Sequence, residues 1–473
     1  MAQKRNARDL TQGPVFGHLM RMVIPMSFGI VAMMLVGIVD AYWVGRLGTV
    51  QQAAVQFVFP VSMAVMSIAI GLGAGAVSVV ARAAGRGDGE RTKRVATDAV
   101  LLALLITAIT SAIGIALIGP LFRLMGASEA MMPFVHDYMT IWFAGIIFMV
   151  GPMIASNILR ALGDAILPSI IMIIAAVLNM ILDPILIFGL GPVPAMEVQG
   201  AALATLISNL VVFIVAMAIM IFREKIIDLS WPGFSEMAWN WGEIARIGAP
   251  AAGSNMINPM AMTLVFAAAA QFGEPVVAGF GVAGRVEALA LIPLFALSGS
   301  IGPVTGQNGG AGHIERVREA FRSAFLFCAG WGVAMAALLA ALAYPLSWLF
   351  LPSDEAQAMA RLTWWIAPVT MGGYGIAMAA AAGFNGLGRP LLGVGVNLMR
   401  CFLLLVPLVW LGATQFGPAG MISGYALANV LAGAVTAFLV LRYAPMSAVE
   451  SKARPVVPPT QAARAGVPVK PAE

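Results

Sequence analysis

Charge is scarce in this chain: only 10% of its 473 residues are Asp, Glu, Lys or Arg, while 60% are apolar and the mean hydropathy is +0.91. A soluble core of this length does not need so many unbroken apolar runs, which excludes an ordinary water-soluble globule. Cysteine is nearly absent, and the two present, Cys328 and Cys401, fall inside apolar runs. They read as small buried residues with no disulfide between them. The three histidines, His18, His136 and His313, lie far apart and lack metal-ligand spacing. No Walker A pattern occurs, so the chain has no ATP drive of its own; Gly71, Gly73 and Gly75 sit inside an apolar run and read as a helix-packing surface instead of a phosphate loop. No nucleophile and base constellation is present either, which argues against an intramembrane enzyme. The polar start leads into a run too long for an h-region and without a clear cleavage site, so no cleavable signal is expected.

What the chain does have is twelve apolar runs, at about 16–45, 53–81, 93–118, 131–158, 166–189, 199–222, 244–270, 277–305, 316–343, 356–383, 389–412 and 418–442. The predicted fold is an all-α polytopic membrane protein. Lys and Arg concentrate at alternate ends of these runs: Lys4, Arg5 and Arg8, then Arg82, Arg86, Arg91, Lys93 and Arg94, then Arg223, Lys225 and Arg246, then Arg316, Arg318 and Arg322. Only Arg46, Arg123 and Arg361 fall clearly on the other side, so both termini are expected in the cytoplasm. The net charge of +5 is then a topological label and no nucleic-acid patch is implied.

The runs fall into two similar sets of six. Arg21 and Pro25 in RMVIP return as Arg246 and Pro250 in RIGAP, and Leu162 and Gly163 return as Leu387 and Gly388, a spacing of about 225 residues; Gly200 and Asn209 similarly return as Gly420 and Asn429. Either the chain is duplicated or these are chance matches of Gly and Pro among apolar runs. Duplication predicts two six-helix lobes related by a pseudo-two-fold axis along the membrane normal, because an even number of helices returns each repeat to the same side. The expected division is an N-terminal lobe over 1–222, a cytoplasmic linker over 223–243 with the break WPGF, a C-terminal lobe over 244–443 and a disordered cytoplasmic tail over 444–473.

The halves differ in chemistry. Asp40 and Asp183 lie toward the ends of apolar runs, and at the repeat spacing Asp40 meets Val265 while Asp183 falls among Val406, Pro407 and Leu408. A carboxylate in a span costs about 2.5 to 3.5 kcal/mol, which taking up a proton relieves, and such a residue is a functional candidate by default. Asn179 stands four residues before Asp183, on the same helical face. The alternative is a pair of polar residues hydrogen-bonded for packing. In the C-terminal half Glu287, Arg285 and Arg400 are the ionisable candidates; Glu287 either binds a cationic substrate or partners Arg400 or another polar group. Pro25 is either a hinge or a static kink.

The stretch DAYWVGRLGTVQQAAV, the loop ARAAGRGDGERTKRV, LRALGDAILP, NMILDP and QGAALAT, in this order over residues 14–442, resemble the MATE (multidrug and toxic compound extrusion) transporters, in particular the prokaryotic DinF-like branch. The resemblance implies a cation-coupling site at Asp40, Asn179, Asp183 and Thr205 with Tyr138 beside it. The coupling ion is H+ or Na+, the latter at the same four residues, and no cofactor is expected. The acids that the NorM branch carries on its seventh and tenth helices are absent here. The implied function is secondary active antiport that exports amphipathic, often cationic drugs or toxic metabolites by alternating access. The expected setting is a bacterial plasma (inner) membrane, with a monomer, the lipid bilayer and no nucleic acid as context. If both acids exchange cations in every cycle, export of a monovalent cation is electrogenic. The rival function is a flippase of lipid-linked precursors on a related scaffold, disfavoured because only Arg285 and Arg400 are available to meet a pyrophosphate.

The orientation is open to direct test. After replacing Cys328 and Cys401, a Gly87→Cys protein should resist an impermeant thiol reagent added outside intact cells and an Ala195→Cys protein should react; labelling at position 87 from outside reverses the topology.

Overall fold

A bilayer offers no water to unpaired backbone groups, so apolar runs of this length have the helix as their solution. In the computed structural model, which describes residues 9–190, 192–228, 230 and 233–449, the described residues form helices and connecting turns with no strand. The helices are α1 (Val15–Gly45), α2 (Thr49–Gly85), α3 (Gly89–Leu124), α4 (Met132–Ala161), α5 (Ile166–Phe188) and α6 (Glu197–Ala218, closed by a π turn at Ile219–Arg223). The second set is α7 (Phe234–Ala270), α8 (Glu274–Ala290 and Ile292–Ala311), α9 (Ile314–Phe350), α10 (Asp354–Ile366 and Met371–Gly386), α11 (390–416) and α12 (418–449). Gly417, at φ +64°, separates the last two. Of the tail expected over 444–473, the backbone continues as helix to Val449, and the rest lies outside the described residues, as do Lys4, Arg5 and Arg8.

Nine of the described helices, with 390–443 taken as one, are long and apolar enough to cross a membrane, and ten when the two parts of α8 are joined. What holds α7 below that level is polar content, Ser254, Asn255 and Asn258 among its later turns. One of these, Asn258, holds Arg400. The start of α7 comes about ten residues before the expected 244, because FSEMAWNWGE is polar and its side chains hold it against α3.

The chain packs as two compact units, one of residues 28–249 and the other of residues 9–27 with 250–449. Each is built around its fourth helix. In the first, α4 packs against α2, α3, α5 and α6; in the second, the later part of α10 packs against α8, α9, α11 and α12. The most apolar stretches of α4 and α10 are both 61% buried, against 22% for α3 and α9, which places the same helix of each repeat at the centre. Small residues permit the close approach that packing in lipid requires. A side chain on Gly75 would collide with the Ile244 carbonyl of α7, and one on Gly424 of α12 with the Leu408 carbonyl of α11.

The expected lobes begin and end between helices, but the compact units do not: each takes in the opening of the other repeat's first helix. In the first unit, Asp98 of α3 is fully buried and accepts from Asn240 Nδ2 at 2.7 Å, while Trp241 donates its indole N–H to the Asp98 carbonyl at 3.0 Å. Arg94 lies 3.4 Å from Asp98 and donates to the Ser230 carbonyl, and Arg91 pairs with Glu243 at 2.8 Å. Asp228, tied back by the Ser230 side chain and N–H, is held below the ordinary carboxylate value, which keeps it charged beside Arg94. In the second unit the segment before α1 is held similarly. Asn308 and Arg316 donate to the Leu10 carbonyl at 3.0 and 3.1 Å, and Arg316 also reaches the Gly13 carbonyl at 2.8 Å. Arg91 and Arg316 stand at the repeat spacing and do the same work.

Removing Asp98 leaves Asn240 buried without its acceptor and Arg94 without its nearest carboxylate. Asp98→Ala should lower stability by about 3 kcal/mol, read as a drop in unfolding temperature in detergent, whereas replacing the exposed Glu315 should leave it unchanged.

Candidate coupling site

The site begins with a local defect in α5. Pro184 has no N–H to give the Met180 carbonyl, so the helix is loosened beside Asp183. Asn179 and Asp183 share a face, and both are buried, Asp183 completely. A tight hairpin brings α6 opposite them. Gly189 at φ +73° ends α5, the Met196 N–H donates back to the Leu186 carbonyl at 3.0 Å, and Gly200 lies so close to Leu186 that no side chain would fit.

Thr205, on the third turn of α6, thereby meets α5. Asn179 Nδ2 is 3.3 Å from Thr205 Oγ1 and 3.5 Å from Asp183 Oδ1. Thr205 donates to the Ala201 carbonyl at 3.2 Å, and Asn209 Nδ2 donates to the Thr205 carbonyl at 2.8 Å. From α1, half-buried Asp40 brings its carboxyl within hydrogen-bonding reach of Asp183, and Tyr138 of α4 lies close enough to sense the charge of both. One turn beyond the acids, buried Val44, Ile187 and Ala201 pack together with Trp43 against them, and the Trp43 ring meets Phe188 edge-on at 5.7 Å. The acids thus sit directly behind an apolar plug.

The five residues expected to act together are therefore brought together, all within the first unit. Asp40 Oδ1, Asp183 Oδ2 and Asn179 Oδ1 have no protein partner. Two carboxyls in contact cannot form a hydrogen bond unless one carries a proton, so the geometry suits a shared proton that can be taken up and released.

The C-terminal candidates do not converge in this way. Arg285 is exposed, whereas Glu287 and Arg400 are 8% and 3% exposed. Glu287 makes no ion pair among the described residues, and its Oε1 has no partner. It stands one turn before the 47° bend of α8, where Pro293 interrupts the helix and the Trp331 indole caps the freed Ala290 carbonyl at 2.8 Å. Arg400 sits on a π turn, Met399–Leu405, and is held by Asn258, Asn429 and the Tyr374 ring. Pro25 is half-buried within α1, two residues before the boundary between the units. The surroundings of Arg400 and the role of Asp98 were not read from the sequence. For Asp98 a signal existed in Arg94, four residues earlier; the partners of Arg400 come from three other helices and leave no local trace.

Twelve helices in two repeated halves, with two acids brought together in the first half alone, define an integral membrane transporter. The chain belongs to the MatE family, whose model matches it twice, over residues 25–185 and 250–411, so the duplication seen at Arg21 and Arg246 extends through both halves. A FAD transporter of Shewanella oneidensis is 36% identical over 93% of this chain and 97% of its own length. The multidrug export protein MepA of Staphylococcus haemolyticus is 23% identical, covering 91% of this chain and 94% of its own. Among solved structures, the Vibrio cholerae MATE transporter VcmN in its bent form aligns with a TM-score of 0.86 at 28% identity, over 92% of this chain and 97% of that one.

Proposed function

We propose that this protein is a proton-coupled antiporter that exports amphipathic aromatic compounds, with Asp40 and Asp183 sharing the coupling proton. The contact between these two carboxyls carries the reading. Asn179 turns its Nδ2 donor toward Asp183 and Thr205, which steadies the acid, and the proton assignment rests on the carboxyl pair. Thr205 holds the Asn179 amide in place, and Tyr138 covers the pair. The relatives named as multidrug exporters support a broad substrate range, and the one named as a FAD transporter supports flat aromatic compounds that carry negative charge. The protein acts by alternating access as a monomer in a bacterial plasma membrane, with both termini in the cytoplasm, and Asp183 is discharged toward one side at a time. Helices α1 and α7 each pass from one unit to the other at Ser27/Phe28 and Ala249/Pro250, so Pro25 and Pro250 are where bending would be absorbed.

The test is transport of ethidium in proteoliposomes. A pH gradient without Na+ should drive accumulation by the wild type, and Asp40→Asn or Asp183→Asn, each well folded, should fall to background. Full activity from a Na+ gradient at equal pH would overturn the proton assignment.

A shared proton also fixes the electrical behaviour. Exchanging one proton for one monovalent cation moves no net charge, so at equal pH a clamped potential of 100 mV should leave ethidium export unchanged. Two protons per cycle would instead draw about 2.3 kcal/mol from that potential, roughly a 50-fold gradient, and a response of that size would show that the acids titrate separately.

A further inference from the structure

Arg400 is a buried cation without an anion. Its guanidinium donates to Asn429 Oδ1 at 3.2 Å and to Asn258 Oδ1 at 2.5 Å, reaches the Cys401 sulfur at 3.1 Å, and stacks over the Tyr374 ring with its central carbon 4.6 Å from the ring centre. Every one of these partners is neutral. Nε has no partner, and no carboxylate lies within 4.0 Å of the guanidinium among the described residues. A charge withdrawn from water in this way is normally neutralised or paired.

The buried acid of the same unit does not pair with it. Tyr425 lies close enough to sense the charges of both Glu287 and Arg400, yet the two make no ion pair. Only Asn429 of this set has a counterpart in the other repeat, Asn209. At the spacing of about 225 residues, Arg400, Tyr374 and Asn258 correspond to Ala175, Met149 and Met33, so the first unit has an apolar set where the second has a cation, a flat ring and an amide. The asymmetry mirrors that of the acids. One unit brings two acids together, and the other has a buried cation with only neutral partners.

We propose that Arg400, oriented by Asn258, Asn429 and Tyr374, is a recognition site for the phosphate or carboxylate of an aromatic substrate; this rests on the substrate reading given above. The planar guanidinium offers its unpartnered Nε–H to an anion oxygen as a charge-assisted donor. The two amides hold the guanidinium without discharging it, which an acid would do. Tyr374 adds a flat surface beside the anion on which an aromatic ring can stack. Because Arg400 is covered, the anion reaches it when the helices around α11 part. The π turn at Met399–Leu405, followed directly by Pro407, gives α11 an irregular backbone at that point.

Binding of FMN and riboflavin, which differ only by a phosphate, tests this with the full-length protein in lipid nanodiscs. The wild type should bind FMN at least about tenfold more tightly than riboflavin, the ratio expected of a buried charge-assisted contact. Arg400→Gln should abolish the preference by weakening FMN alone, and Arg400→Lys should keep part of it. Glu287→Gln, which removes the buried acid whose charge Tyr425 senses together with that of Arg400, should increase the preference; this second variant gives a readout if Arg400→Gln folds poorly. The proposal is overturned if the wild type shows no preference, if Arg400→Gln weakens both flavins equally, or if Glu287→Gln lowers the preference. Proton-driven ethidium transport is measured separately, so a failure there counts against the coupling assignment and a failure here against Arg400.

Discussion

Two carboxyl groups within hydrogen-bonding reach of one another, one of them fully buried, cannot readily both be charged, and the first unit is arranged around that constraint. Even at an effective dielectric of about 20, two unit charges 4 Å apart repel by about 4 kcal/mol. Asp183 has no exposed surface to relieve this, and Asp40 has only part of its surface exposed. A proton between them resolves the conflict, and its departure restores it. The surrounding features make sense as accessories to this switch: the loosened helix at Pro184, the Asn179 amide positioned by Thr205, and the apolar plug of Val44, Ile187 and Ala201 that seals one end.

The same constraint explains what was legible in the sequence. Asn179 and Asp183 share a face by helical geometry alone, and their absence from the second repeat marked them as chemistry instead of packing. The twelve helices were legible because the bilayer requires long apolar runs. The opening of α7 was missed because it is amphipathic and earns its helix through Asn240 and Trp241, more than 140 positions away from Asp98. The sharing of α1 and α7 between units was hidden for the same reason. A hydrophobicity pattern records which surface is apolar, and says nothing of which neighbour covers it.

The environment of Arg400 shows this limit most clearly. Its position inside an apolar run was evident, and Glu287 was the obvious candidate partner. In the folded chain the partners are instead two asparagines and a tyrosine from α7, α12 and α10. Asparagine in a span does not announce a ligand, because it serves equally well for helix packing.

The two repeats therefore divide into a part that has been kept and a part that has not. Lipid gives helices little hydrophobic reason to associate, so the scaffold depends on small residues at crossing points, and changing these would separate the helices. Gly200 and Gly420 both open a helix that packs on the one before it, and α4 and α10 both occupy the centre of their unit. Arg91 and Arg316 tie down the chain in both. Polar residues facing the interior carry no such duty, since an apolar residue of similar size fills the same space without cost. They were free to diverge, and the acids of one unit and the arginine of the other lie at positions where the opposite repeat has valine, proline, leucine or alanine. The scaffold of this transporter is read from what its halves share, and its chemistry from where they differ.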